Sequence, residues 1–230
     1  MLFRSNIYDD LASKINDYYS VLKKENSFFK KIFSGTLEPE QLELYLFNMK
    51  ASLKSTIVQC KNGAKRCEIT GDRKLRDFFL LKAQEEVGHD QWAEEDLENI
   101  YKEFTIENKK SSLSIHMVNI IEYNNALIEK DPRLYLVFMM FAEYFTVIAG
   151  PECIEKFNTL CNIPTNCVSV IEKHATLDQE HVHEWHNFTN EYITDIDIIS
   201  DEMFATLEDI MKNYARFCSY VGDYYENAAA

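Results

Sequence analysis

Glycine and proline are scarce, six and four among 230 residues, which argues against a fold built on frequent reversals. No strand-rich block is present either. The longest apolar run, Leu134–Phe141, falls well short of the roughly 20 residues a membrane-spanning helix needs. The N-terminus carries polar residues where a secretory signal would be apolar, so the expectation is a cytoplasmic protein with no membrane partner.

Paired cysteines are missing too. Cys60, Cys67, Cys153, Cys161, Cys167 and Cys218 stand singly with no CxxC pair. That pattern fits neither a disulfide framework nor a thiolate zinc site, and predicts reduced, mostly packed thiols. No Lys/Arg cluster relieves the formal net charge of −14. Such a charge repels phosphate backbones and sets nucleic acid aside as a partner.

What is present is an apolar rhythm of three and four residues through almost the whole chain, with 46% hydrophobic content. That reads as helices joined by short loops around a substantial core. The first helix is predicted from about Ser5 to Phe33, ended by Ser34-Gly35. The second starts near Pro39, a residue suited to a first helical turn. A third runs from after Gly71-Asp72 to about Phe104, followed by a loop at Asn108–Ser112 and a fourth helix to about Lys130.

Asp131-Pro132 starts a fifth helix, which Gly150-Pro151 should kink or split. Pro164 starts a sixth, reaching about Tyr192. A last helix spans roughly Ser200 to Tyr225, with Phe204, Leu207, Met211, Tyr214, Phe217 and Val221 on one face. The expectation is an all-α chain of about seven helices. With no linker or internal repeat, it forms one domain over residues 1–227, with the three alanines 228–230 as a tail.

Three groups of residues carry chemistry. His174, Asp178 and His181 are spaced i, i+4, i+7 in the sixth helix, which at about 100° per residue sets two imidazoles and a carboxylate on one face. That ligand set suits iron or manganese better than structural zinc; the plain alternative is a solvated polar face. Glu86-Val87-Gly88-His89 is an ExxH whose one-turn spacing lets both side chains reach one metal. Glu85 could also reach, although a surface glutamate is the simpler reading.

Glu143 lies among Val137, Phe138, Met139, Met140, Phe141, Tyr144 and Phe145, in a helix apolar nearly all round. A carboxylate buried there needs a metal or a basic partner from another helix. Glu86, His89, Glu143, His174, Asp178 and His181 together would offset two divalent ions and leave coordination sites open. His183 and His186 point elsewhere on the sixth helix, His116 has no partner in sequence, and Trp92 and Trp185 read as packing residues.

With these residues in view, the chain resembles the haem-oxygenase-like di-iron oxidase superfamily. That superfamily is a branch of the fold shared with haem oxygenases, the aminopyrimidine hydrolases of thiamin salvage and pyrroloquinoline-quinone synthase. The carriers are Gly35-Thr36-Leu37-Glu38-Pro39-Glu40-Gln41-Leu42, Glu85-Glu86-Val87-Gly88-His89-Asp90, the isolated Glu143, and His174-xxx-Asp178-xx-His181.

The resemblance implies a haem-oxygenase-like bundle with Glu86, His89, Glu143, His174, Asp178 and His181 as catalytic metal ligands. They would hold two Fe ions, with Mn able to stand at one site and O2 as co-substrate. A diferrous centre would form a peroxo-bridged diferric species that oxidises a small-molecule substrate: fatty-acid-like, amino-acid-like, or a tyrosine of the chain itself. An external electron donor and a homodimer are compatible with it. In some branches the first carboxylate stands seven or more residues before its histidine; here that region holds Arg76, Leu81 and Lys82, with only Asp77 acidic.

Three other readings compete. A ferritin-like bundle would use Glu180 and His183 as a second ExxH, facing away from His174, Asp178 and His181. A thiamin-salvage-type hydrolase would need a nucleophilic cysteine, for which Cys153 is the one nearby candidate. A non-enzymatic protein could bind a partner through its acidic surface.

Overall fold

The computed structural model describes residues 7–106, 112–192 and 196–224. Among them lie nine α-helices, one 3₁₀ turn and no strand. The expected start at Ser5, most of the Asn108–Ser112 loop, the end at Tyr225 and the alanine tail lie outside the described residues.

Nine helices replace seven because two predicted helices each contain a break. The first is α1, Ile7–Glu25, and α2, Ser27–Ser34, parted at Asn26. Asn26 caps α2 by accepting from the Phe28 amide, and its own amide group donates to the Ala215 carbonyl and the Ser219 hydroxyl at 2.9 Å each. A local cap therefore also fixes the α1–α2 corner on the last helix. α3, Pro39–Thr70, starts with a Glu38/Gln41 capping box and ends at left-handed Gly71.

The second break matters more. α4 is Arg73–Glu85 and α5 is His89–Glu103; Glu86–Gly88 between them turn the chain. Gly88 holds φ +92°, a conformation that strains a residue with a side chain. The single helix predicted to Phe104 is thus two, and His89 opens the second.

α6, Ile115–Lys130, is capped by the Ser114 hydroxyl, and α7, Pro132–Thr159, by the Asp131 carboxylate. Pro151 does not split α7, which continues with Gly150, Cys153 and Phe157 buried around the proline. Gly150 is a close approach: a Cβ there would lie 3.1 Å from that of Ala175 on the next helix, so the glycine lets the two helices meet.

α8 is Ser169–Tyr192, not from Pro164 as expected; Pro164 instead leads the 3₁₀ turn Thr165–Cys167. The true start is set from a distance. Asp96 on α5 accepts from the Ser169 hydroxyl at 2.5 Å and the Val170 amide at 2.8 Å. α9, Ile196–Gly222, starts four residues before its predicted position, and Gln41 donates to the Val221 and Gly222 carbonyls at its end.

α7 is the axis of the bundle, packed by α1, α2, α3, α6, α8 and α9. It alone among the described helices has the length and hydropathy to cross a membrane, yet 67% of that stretch is buried inside the protein. Its apolar circumference is what a central core helix requires. All six cysteines are free, and five of them are buried.

Candidate metal centre

The six predicted ligands come from α5, α7, α8 and the break between α4 and α5. Glu86 sits in the α4–α5 break, His89 starts α5, Glu143 lies mid-way along α7, and His174, Asp178 and His181 line α8. The i, i+4, i+7 spacing does turn that face of α8 inward. Within the site the residues divide into two halves with different character.

The first half is Glu86, His89 and His174, with one potential donor atom from each lying within 4.8 Å of the others. His89 Nδ1 donates to Glu86 Oε2 at 3.2 Å. Burial opposes ionisation of Glu86, but that hydrogen bond and the fields of His89, His174 and His181 outweigh it and hold the carboxyl below its ordinary pKa. His174 Nδ1 donates to the Val170 carbonyl at 2.7 Å, which fixes the tautomer. Its Nε2 is left buried with no hydrogen-bond partner.

A buried imidazole nitrogen carrying an open lone pair is costly unless a proton donor or metal meets it. The donors here, a carboxylate and two imidazoles, suit a first-row divalent ion. This half fits a metal. Trp92, read from sequence as a packing residue, is instead a wall of the site, stacked on His89 at 4.1 Å between ring centroids and edge-on to His174 at 5.4 Å. Trp185 does pack, against Phe78 and Phe188.

The second half is Glu143, Asp178 and His181, and it contains a cation of its own. Lys82 on α4 is fully buried. Its Nζ lies 3.0 Å from Glu85 Oε2, 3.2 Å from Glu184 Oε2 and 3.7 Å from Glu143 Oε1. Burial alone would lower the lysine pKa, but Glu143, Glu85 and Glu184 outweigh it and raise the value, so the ammonium stays charged. The basic partner weighed for Glu143 is therefore real. Glu85, read as a surface residue, in fact reaches the centre.

His181 is ringed by acids. Its Nδ1 donates to Asp178 at 3.2 Å and lies 3.8 Å from Glu143, while its Nε2 lies 3.6 Å from Glu85. The bond to Asp178 is the main reason its pKa rises. Burial pushes Glu143 up to about 8 against the pull of Lys82, and also pushes Asp178 upward. A second divalent ion in this half would lie beside the Lys82 ammonium, 3.7 Å from Glu143 Oε1, although Glu143 Oε2 is, like His174 Nε2, buried without a hydrogen-bond partner.

An apolar cavity of about 170 Å³ abuts the centre, with Glu86, Glu143, His174 and Asp178 in its wall. The competing motifs fare poorly. Glu180 and His183 are exposed, so the ferritin-like pairing has no interior to serve. Cys153 lines the cavity, but burial pushes its thiol up to about 12, which leaves little thiolate for nucleophilic attack. His116 and His186 stand against Tyr220 and Tyr8, away from the ligands.

Sequence reasoning noted Lys82 only as a position without a carboxylate, and missed Glu184. The signal for Lys82 was available: it stands seven residues before His89 in a stretch that otherwise buries Phe78, Phe79 and Ala83.

No family model and no curated protein matches this sequence. Solved structures do. A domain of unknown function with a haem oxygenase-like fold from Shewanella denitrificans OS217 is similar over 96% of this chain and 94% of its own, with a TM-score of 0.77 and 19% identity. A CADD-like protein of unknown function from Nostoc punctiforme PCC 73102 is similar over 94% of this chain and 97% of its own, with a TM-score of 0.69 and 12% identity. The chain thus has the all-α, single-domain haem-oxygenase-like fold that its motifs led us to expect.

Proposed function

We propose that this chain is a non-haem iron oxidase or oxygenase that uses O2 to oxidise a small, largely apolar organic substrate. The observation that carries the reading is His174, whose buried Nε2 has no partner and whose ring stands with Glu86 and His89 at the head of an apolar cavity. Iron held there would supply electrons to O2.

The protein's own groups do the rest. The Val170 carbonyl keeps the Nδ1 proton of His174 in place, so Nε2 stays free to bind. Stacking by Trp92 restrains the His89 ring, and Asp96 ties the first turn of α8 to α5, holding the helices that carry His174 and His89 in register. The cavity, walled by residues such as Met139, Phe141, Phe145 and Ile171, excludes water and takes up apolar substrate beside the carboxylates. Glu143 stands at the cavity wall with its Oε1 3.7 Å from the Lys82 ammonium, which ties α7 to α4 beside the centre. The free cysteines suit a reducing, cytoplasmic setting.

Anaerobic Fe(II) titration of the purified protein, followed by oxygen-electrode measurement, tests this. Stoichiometric iron binding with O2 uptake supports the reading; failure to bind iron, or iron binding without O2 uptake under any electron donor or apolar substrate supplied, removes it.

A further inference from the structure

We infer that the centre holds one metal ion, at Glu86, His89 and His174, and that the Lys82 ammonium is the resident cation of the second half. This rests on the metal-dependent reading above but differs from the two-iron arrangement that the motifs imply. All six ligand positions are filled in sequence, and counting them suggests two ions. Their surroundings do not.

The two histidines of α8 show the contrast. His174 offers an unpartnered Nε2 to the first half. His181 has acids at both ring nitrogens, Asp178 and Glu143 at Nδ1 and Glu85 at Nε2. Glu143, a carboxylate a second ion would need, and Glu85 beside it both face Lys82 Nζ within 3.7 Å. A divalent ion among them would lie a few ångströms from an ammonium, and like charges at that range in a buried site repel strongly.

Lys82 has little freedom to leave. Its side chain is wholly buried, its Nζ lies 5.8 Å from the centroid of the Phe78 ring, and it joins α4 to α7 through Glu143 and to α8 through Glu184. The ammonium therefore fulfils two roles of a second metal: it balances the charge of the carboxylates and cross-links the helices that carry them. A lysine, unlike a metal, offers no coordination site. Substrate and O2 would then meet a single ion at Glu86 and His174, in a cavity wall that also holds Glu143 and Asp178.

The test is a metal count that does not depend on turnover. Full-length protein is titrated anaerobically with Fe(II) against a chromophoric chelator, bound metal is counted by mass spectrometry, and the nitric oxide adduct is examined by EPR. We expect one iron per chain and a half-integer-spin signal integrating to one spin per chain. Lys82→Glu, which turns the cation into a ligand, is expected to bind two. Two irons per wild-type chain, or a folded Lys82→Glu protein that still binds one, overturns the inference; if the variant does not fold, the wild-type count decides alone. One iron without O2 uptake leaves this inference standing and ends the oxidase reading. Two irons with O2 uptake does the reverse, and no iron ends both.

Discussion

Asp96 is the residue whose replacement best tests how the centre is held together. It is wholly buried and accepts from two groups at the start of α8, the Ser169 hydroxyl and the Val170 amide. Asp96→Ala strands both donors. A hydrogen bond to a charged acceptor is worth about 1.5–3 kcal/mol, and burial pushes the Asp96 carboxyl upward, which places the pair at the low end, ~3 kcal/mol in all. For a chain of 230 residues that corresponds to roughly 6–12 °C in Tm. Asp96→Asn keeps one acceptor and should lose about half.

A second effect should accompany the first. The Val170 carbonyl, one residue into the capped turn, is the group that orients His174. Loosening that turn should weaken iron binding by about 10–100-fold, the usual consequence of disturbing a ligand's supporting shell. Urea denaturation of the metal-free protein and chelator-competed iron titration read the two effects separately. A destabilised Asp96→Ala protein with undiminished iron affinity would refute the link from Asp96 through Val170 to His174. Unchanged stability would refute the capping argument itself.

Three further outcomes are expected. His174→Ala should abolish iron binding and O2 uptake while far-ultraviolet circular dichroism stays near wild type, since the imidazole borders a cavity and its loss empties the site more than it disturbs the apolar core. Gly88→Ala should lower stability by about 1–2 kcal/mol in urea, because φ +92° is strained for alanine although no atom lies within 4 Å of the new methyl. Glu143 has a folded-state pKa raised from 4.5 to about 8, so the folded metal-free protein binds more protons than the unfolded chain across that interval. Its stability should therefore fall as pH rises through this window, and Glu143→Gln should flatten the decline in urea titrations at about pH 5 and about pH 8.

Much of this was legible from periodicity and punctuation. The inward face of α8 follows from the spacing of His174, Asp178 and His181, and the start of α7 from Asp131-Pro132, because both are local signals read within one or two turns. The break after Glu85 was not read, since an isolated glycine is tolerated within a helical pattern; only the φ of Gly88 reveals it. The start of α8 was misplaced because its capping residue, Asp96, lies 73 residues upstream of Ser169. The burial of Lys82 is signalled locally by Phe78, Phe79 and Ala83, but its role is not. Its meaning depends on Glu143 and Glu184, which are distant in sequence and adjacent only after folding.

The cavity runs with α7. Its wall takes residues from Phe138 to Phe157 of that helix, roughly 28 Å of axis at the usual rise per residue, together with Phe28, Phe29 and Ile32 of α2. On the oxidase reading proposed above, side chains of α2 and α7 in this wall would decide which apolar guest fits beside Glu86 and His174. Phe29, which is no predicted ligand but packs against Phe145 at 6.1 Å between ring centroids, would then help set the size of the accepted molecule.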